Sequence, residues 1–346
     1  MLQHWRDDAY IAWKTDLLRI ALHRAGYADA VLAPPARTLP GQRRRMDLAI
    51  RRAGGKVVLG LHRPRSTAVV DFAECHVLHP TLVSLIAPMR VLLSRLRAFR
   101  REGSVIANLL DSGADVLLRT DATLDVTDRL AATEFARAHR LPRISAAKGN
   151  DEPEPIAVLR PASTLLSGIS VTPPPGVFLQ ASPSGEAAVI AAVLDALPAK
   201  GRIAELFAGC GTITFALAQR VRVAAWEGDA ASVSALRAAA NHAGLAGRVT
   251  VTQRDLTRQP LQAKELSGFA AVVLDPPFAG AAIQVAQIAA AKVPVVIYVN
   301  CNPTTLARDA RLLSQAGYRL QAATPIDQFL WSVRLESVCV FVHAAG

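Results

Sequence analysis

Apolar residues recur at three- and four-residue steps through Tyr10, Trp13, Leu17, Leu18, Ala21 and Leu22, which predicts a helix from Asp7 to a stop at Gly26. Prolines then break the pattern, and Pro34–Pro40 reads as a linker. Met46–Ile50 and Lys56–Leu61 have strand character and flank Ala53-Gly54-Gly55, a hairpin signal. Helical spacing returns from Pro80 to Arg101, with a basic last turn. Val105–Leu109 and Val116–Arg119 read as strands turned at Asp111-Ser112-Gly113. Lys148–Pro155 is a loop by composition, and Thr172-Pro173-Pro174-Pro175-Gly176 marks the clearest boundary.

Past that boundary the pattern changes. A helix over Ala187–Leu197 is followed by alternating strands and helices: strand Arg202–Phe207, helix Thr214–Gln219, strand Val221–Glu227, helix Ala230–Ala243 and strand Val249–Thr252. Strand Ala270–Leu274, helix Ala281–Ala291, strand Val293–Val299 and helix Pro303–Ala316 continue the alternation, and Tyr318–Pro325 and Leu335–Val342 close it as strands. This spacing predicts right-handed βαβ units and an α/β, doubly wound, Rossmann-like sheet, ending in an antiparallel pair at one edge. The chain is expected to divide into an N-terminal helix and linker (1–33), a central α+β domain (34–170) and the doubly wound domain (171–346).

Charge sharpens that division. The formal net charge is +11, and its distribution is uneven: 25 Lys/Arg against 17 Asp/Glu through residue 165, then 14 against 11. The first half is therefore the candidate for a polyanionic partner. Arg43, Arg44 and Arg45 lead into the hairpin that also carries Arg51, Arg52, Arg63 and Arg65. Such a run is either a solvated face or a set of phosphate contacts, and its recurrence on one hairpin favours contact. No apolar leader follows Met1, and the run Val293–Val299 is too short to span a membrane. The four cysteines, Cys75, Cys210, Cys301 and Cys339, are scattered without a CxxC pair. That argues against zinc and disulfides and for a reducing cytoplasm.

The candidate chemistry lies at the strand ends. Glu205-Leu206-Phe207-Ala208-Gly209-Cys210-Gly211-Thr212 joins the first strand to its helix, and Gly209 and Gly211 let the backbone approach a ligand closely. Thr214 stands where a dinucleotide fingerprint wants a third small residue, which disfavours an NAD-binding protein. Glu205, Glu227, Asp255 and Asp275 fall at or just past the ends of successive strands. Glu227 suits a ribose hydroxyl and Asp255 an adenine amino group, so the series points to an adenosyl cofactor. Cys301 ends the next strand, in Asn300-Cys301-Asn302-Pro303, just before a helix N-terminus expected to stabilise a thiolate.

Three segments carry a resemblance. Asp275-Pro276-Pro277-Phe278-Ala279-Gly280, Tyr298-Val299-Asn300-Cys301-Asn302-Pro303-Thr304-Thr305-Leu306-Ala307-Arg308-Asp309, and Asp327-Gln328-Phe329 with Leu335-Glu336-Ser337 resemble the RNA 5-methyluridine methyltransferases. Arg43-Arg44-Arg45 and Glu74-Cys75-His76-Val77-Leu78-His79-Pro80 are similar to the central RNA-binding domain of the branch acting on 23S ribosomal RNA. The resemblance implies a class I methyltransferase domain and S-adenosylmethionine as cofactor. It makes Cys301 the nucleophile and Glu336 the base, and puts cofactor contacts at Gln180, Phe207, Thr212, Glu227, Asp255 and Asp275. It implies RNA as partner, with 23S ribosomal RNA expected; the sequence itself gives no membrane span, and a monomer is expected. A transfer RNA uridine methyltransferase and a non-catalytic RNA-binding relative are the alternatives. The chain departs from the family pattern at Phe278, where an arginine is usual, at Asn300, where a serine is usual, and at Arg334, where a histidine often stands. The ribosomal branch also holds a four-iron cluster on four cysteines, of which Cys75 matches one. The others have no counterpart here, and the family's small β-barrel is missing too, so no cluster is expected.

Overall fold

The structure is a computed structural model that describes residues 2–53, 55–63, 66–71 and 74–343. Gly54 of the expected hairpin turn and Arg65 lie outside the described residues. The chain forms two compact units: Met1–Thr38 with Leu166–Val171 and Pro183–Gly346, and Leu39–Leu165 with Thr172–Ser182. Two expected boundaries move. The N-terminal helix, Asp7–Arg24, does not stand apart. Its Leu18, Ala21 and Leu22 share one core with Val272, Tyr298 and Phe341 of the doubly wound unit, because its apolar stripe has to be covered. The proline-rich segment, taken as the start of the last domain, belongs with the second unit.

The first unit is built on an eight-stranded sheet. Its order is Ala36–Arg37, Tyr318–Asp327, Glu336–His343, Val295–Asn300, Phe269–Leu274, Arg202–Leu206, Arg222–Glu227 and Val249–Gln253. The strands pair in parallel except where Glu336–His343 runs antiparallel to both of its neighbours. The antiparallel pair expected at the edge is present, but Glu336–His343 is interior. Its residues are buried without a break from Glu336 to Phe341, as in a strand covered on both faces. The edge beyond Tyr318–Asp327 is closed by Ala36–Arg37, inside the segment Pro34–Pro40 expected as a linker. The chain crosses outward in both directions from Arg202–Leu206. The crevice for a ligand therefore opens at the carboxyl ends of that strand and its neighbour Phe269–Leu274.

The second unit holds a seven-stranded sheet in the order Val69–Asp71, Lys56–His62, Arg45–Ala53, Glu102–Leu110, Gly113–Thr120, Arg143–Lys148 and Glu154–Val158. Only Gly113–Thr120 and Arg143–Lys148 pair in parallel, and the helix Val126–Ala138 between them makes the crossover. The single helix expected over Pro80–Arg101 is two, Pro80–Val83 and Ile86–Arg95. Pro88 explains the break, because its ring would clash with the carbonyl four residues back, at Ser84. Part of the expected loop Lys148–Pro155 is strand. Pro155 is tolerated there because Glu154–Val158 is an edge strand. Among the described residues no helix is long and apolar enough to cross a membrane.

Candidate active site

At the switch point the chain leaves Arg202–Leu206 through an unusual run of backbone. Phe207 has φ +63°, Gly209 +55° and Gly211 +101°. A positive φ costs little at glycine and of order 1 kcal/mol or more at phenylalanine. Phe207 is held in that state by a loop tied at two points. Ala208 N donates to Trp226 O at 3.0 Å, and Gly209 N donates to Glu227 Oε2 at 2.8 Å. The other oxygen of Glu227 accepts from the amides of Gly228, at 2.7 Å, and Asp229, at 2.8 Å. A Cβ on Gly211 would meet Leu236 and Phe215 at 2.5 and 2.6 Å, whereas a Cβ on Gly209 would meet nothing within 4 Å. The first glycine of the pair thus faces open space, and the second is needed for packing. Thr212 opens the helix that follows.

The acids at the strand ends differ in environment. Asp255 is exposed and accepts from the amides of Thr257 and Arg258. Glu205 is buried, and one of its oxygens has no hydrogen-bond partner. Burial, with Asp275 nearby, pushes its carboxyl up to about 8. Asp275 follows its strand directly, its amide donating to Leu206 O at 3.3 Å. Open space above Gly209 and acids at successive strand ends fit the polar edges of an adenosyl group, with Phe207, Gly209, Gly211, Thr212, Glu227, Asp255 and Asp275 as the residues that would hold it.

Cys301 and Glu336 reach the same end of the sheet from adjacent antiparallel strands. Asn300 is paired with Ser337, so the two side chains sit one register step beyond that pair. Glu336 is 3% exposed, accepts from Gln328 Nε2 at 2.7 Å through one oxygen, and has no hydrogen-bond partner at the other. Burial and Asp275 push its carboxyl up to about 8. The Cys301 thiol is pushed up to about 12 by burial, then by the charges of Glu336 and Asp275, while Arg334 pulls it down. The thiolate expected from the following helix is therefore not the resting form. Burial, the leading cause, outweighs a helix start whose first residue, Pro303, has no N–H to offer. The loop itself is rigid in design: Asn300 Oδ1 accepts from Asn302 N at 2.7 Å, and Asn302 Nδ2 donates to Phe278 O at 3.0 Å. The departure at Asn300 thus has a local role.

The turn between the last two strands is tied down from the N-terminal helix, which sequence reading missed. Lys14, 1% exposed, pairs with Asp327 Oδ1 at 2.8 Å and donates to the carbonyls of Phe329, at 3.2 Å, and Arg334. Tyr10 OH donates to Asp327 Oδ2 at 2.8 Å and accepts from Trp331 N at 2.8 Å. The available signal was a lysine in the middle of the stripe Tyr10, Lys14, Leu18, Leu22.

Other expected site residues lie in the second unit. Gln180 is buried there, and its carbonyl accepts from Arg44 Nε at 3.0 Å. The guanidinium of Arg45 is turned inward. It donates to Asn108 Oδ1 and to the carbonyls of Gly176 and Val177, the last at 2.7 Å, and lies 5.8 Å from the Phe178 ring. Arg43 pairs through its backbone with Val77 and His79. A four-thiolate cluster is not matched by the residues present. All four cysteines are free, and among the described residues no three His, Cys, Asp or Glu side chains gather as for a metal.

Comparison with known proteins puts this geometry in a family. The profile described as tRNA (Uracil-5-)-methyltransferase matches residues 176–344. An RNA methyltransferase of Mesorhizobium japonicum, itself uncharacterised, is 38% identical over 98% of this chain and 80% of its own length. The chain belongs to the RNA 5-methyluridine methyltransferase family. Another relative of this methyltransferase, the 23S rRNA (uracil(1939)-C(5))-methyltransferase RlmD of Pectobacterium atrosepticum, is 32% identical over 95% of this chain and 74% of its own. The fold of the methyltransferase is also that of the Pyrococcus abyssi tRNA (uracil-54, C5)-methyltransferase, solved in complex with S-adenosyl-L-homocysteine. That match has a TM-score of 0.73 at 19% identity, over 99% of this chain and 85% of the other.

Proposed function

We propose that this chain methylates carbon 5 of a uridine in 23S ribosomal RNA, using S-adenosylmethionine and a covalent bond between Cys301 and carbon 6 of the uracil. The observation that carries the mechanism is the meeting of Cys301 with the buried, half-satisfied carboxyl of Glu336 at the carboxyl end of the sheet. The ribosomal substrate is supported by the 32% identical relative of that activity, whereas the transfer RNA enzyme shares only the fold.

Carbon 5 of uracil is a weak nucleophile. As Cys301 adds at carbon 6 its thiol proton passes to solvent, and the ring becomes an enolate whose carbon 5 can form a new bond. Bound S-adenosylmethionine supplies an electrophilic methyl group, and the residues above Gly209 would hold it. After transfer, carbon 5 carries both a methyl group and a hydrogen. Glu336, as a carboxylate, takes that proton. The electron pair reforms the 5,6 double bond and expels Cys301. A base whose pKa is raised to about 8 binds the proton more firmly than an ordinary carboxylate does. Gln328 orients it through one oxygen and leaves the other for the substrate.

Mass mapping of 5-methyluridine in 23S ribosomal and transfer RNA, from cells with and without the gene, tests the substrate. Appearance of the mark in transfer RNA alone would exclude the ribosomal reading. Cys301→Ala is expected to abolish transfer while S-adenosylhomocysteine still raises the melting temperature. Glu336→Gln should accumulate a protein–RNA adduct on a denaturing gel, lost when Cys301 is also replaced. Turnover by the alanine variant, or no adduct from the glutamine variant, would refute the covalent route.

A further inference from the structure

Two of the departures from the family pattern meet in space. The guanidinium of Arg334 lies over the ring of Phe278 at 4.7 Å from its centroid. Both side chains are exposed, Phe278 by half. Each is fixed to the reaction centre through its backbone. Phe278 O accepts from Asn302, the residue after the nucleophile. Arg334 lies two residues before Glu336, its amide donating to Ser332 Oγ at 3.1 Å and its carbonyl accepting from buried Lys14. Among the described residues no carboxylate lies within ion-pair distance of Arg334.

We propose that Arg334, seated on Phe278, is a substrate-binding residue that grips a backbone phosphate of the RNA strand beside the target uridine. This rests on the reading of the chain as an RNA methyltransferase and adds a residue to its substrate site. Stacking leaves the in-plane N–H groups of a guanidinium free, the fork geometry that matches phosphate oxygens. An exposed aromatic ring beside it gives a base a face to stack on without regard to sequence. The groups around Cys301 are otherwise acidic, Glu336 from the last strand and Asp275 from the end of its own, so they offer a polyanion nothing to bind, and a cation is needed at the rim. Arg334 supplies it from the rim, seated on a phenylalanine whose carbonyl is bonded to the residue after Cys301.

The test uses the full chain and an unmodified 23S ribosomal RNA transcript, with binding followed by fluorescence anisotropy over a range of potassium chloride. Arg334→Gln is expected to weaken binding about tenfold and to flatten the plot of log affinity against log salt by roughly 0.7, one phosphate contact to a single strand. Melting temperature and S-adenosylhomocysteine affinity should stay as in the wild type. Arg334→Lys should keep the salt slope, and Phe278→Leu should weaken binding less than Arg334→Gln does. Wild-type affinity in Arg334→Gln would overturn the proposal, and so would weaker binding with an unchanged salt slope. A melting temperature lowered in step with affinity would mark the pair as structural and overturn it too. Binding needs no turnover, so a wild-type chain that binds the transcript but methylates no uridine would refute the proposed function and leave this result standing.

Discussion

Replacing Lys14 by Met removes the cation that neutralises Asp327 in the interior of the first unit. Both side chains are 1% exposed, so the carboxylate left behind has no solvent to turn to. It keeps the Tyr10 hydroxyl. Breaking a buried pair from one side costs about 3–5 kcal/mol, because the stranded charge keeps its desolvation penalty. The carbonyls of Phe329 and Arg334 lose a donor as well, which adds about 1 kcal/mol each where water cannot replace it. Together these come to about 5–7 kcal/mol, and at roughly 2–4 °C per kcal/mol for a unit of this size the melting temperature should fall by roughly 10–28 °C. Differential scanning calorimetry reads this directly. The decisive comparison is the double variant Lys14→Met with Asp327→Asn. Neutralising the orphaned acid should recover part of the loss, so the double variant should be more stable than the sum of the single effects requires. A melting temperature within about 2 °C of wild type for Lys14→Met, or strict additivity, would refute the argument that the pair is a buried, mutually dependent charge couple.

The same reasoning gives three further expectations. If Glu336, pushed up to about 8 by burial and Asp275, is the base in its carboxylate form, single-turnover release of product should accelerate as pH rises from 6 to about 8, and a pH-independent rate would remove Glu336 from that step. Glu205 holds its proton in the folded chain up to about 8 but loses it near 4.5 when unfolded. Between those values the folded state binds more protons, so its contribution to stability falls as pH rises. Glu205→Gln should therefore stabilise the protein above pH 8 by about 1 kcal/mol or more and do little at pH 5, as measured by urea denaturation. Arg45→Ala should destabilise the second unit by about 2 kcal/mol, since Asn108, Gly176 and Val177 lose a charged donor. Wild-type stability together with a reduced salt slope for RNA binding would return Arg45 to the surface role its position in a basic run suggests.

The alternation of strands and helices was legible because each element announces itself within a dozen residues. So was the glycine loop at the switch point, since only a few residue types tolerate the φ of +101° found at Gly211. The break at Ser84 could have been read from Pro88 by the same local rule. What could not be read is what depends on partners far away in sequence. Arg43, Arg44 and Arg45 look alike in the chain, yet Arg45 is bound inward by carbonyls more than a hundred residues later. Lys14 would pass for a solvated residue on its helix until the strand ending at Asp327 arrives over it.

Cys301 carries the lesson furthest. Its motif suggests a nucleophile, and the helix that follows suggested a low pKa. The resting thiol is instead raised to about 12, by burial and by carboxylates that arrive from the ends of two other strands. If Cys301 is the nucleophile proposed above, a thiol held neutral in this way reacts slowly with stray electrophiles and needs an added positive influence before it can attack. The cation that pulls the thiol the other way is Arg334, on the turn that Lys14 and Tyr10 fix from the N-terminal helix. On this reading, reactivity at residue 301 should depend on residues 10, 14 and 334. A substitution in that first helix, far from any motif, should change the alkylation rate of Cys301, and iodoacetamide labelling of Lys14→Met at a temperature where it remains folded would measure it. Labelling at the wild-type rate would mean that the turn holds Arg334 without the helix.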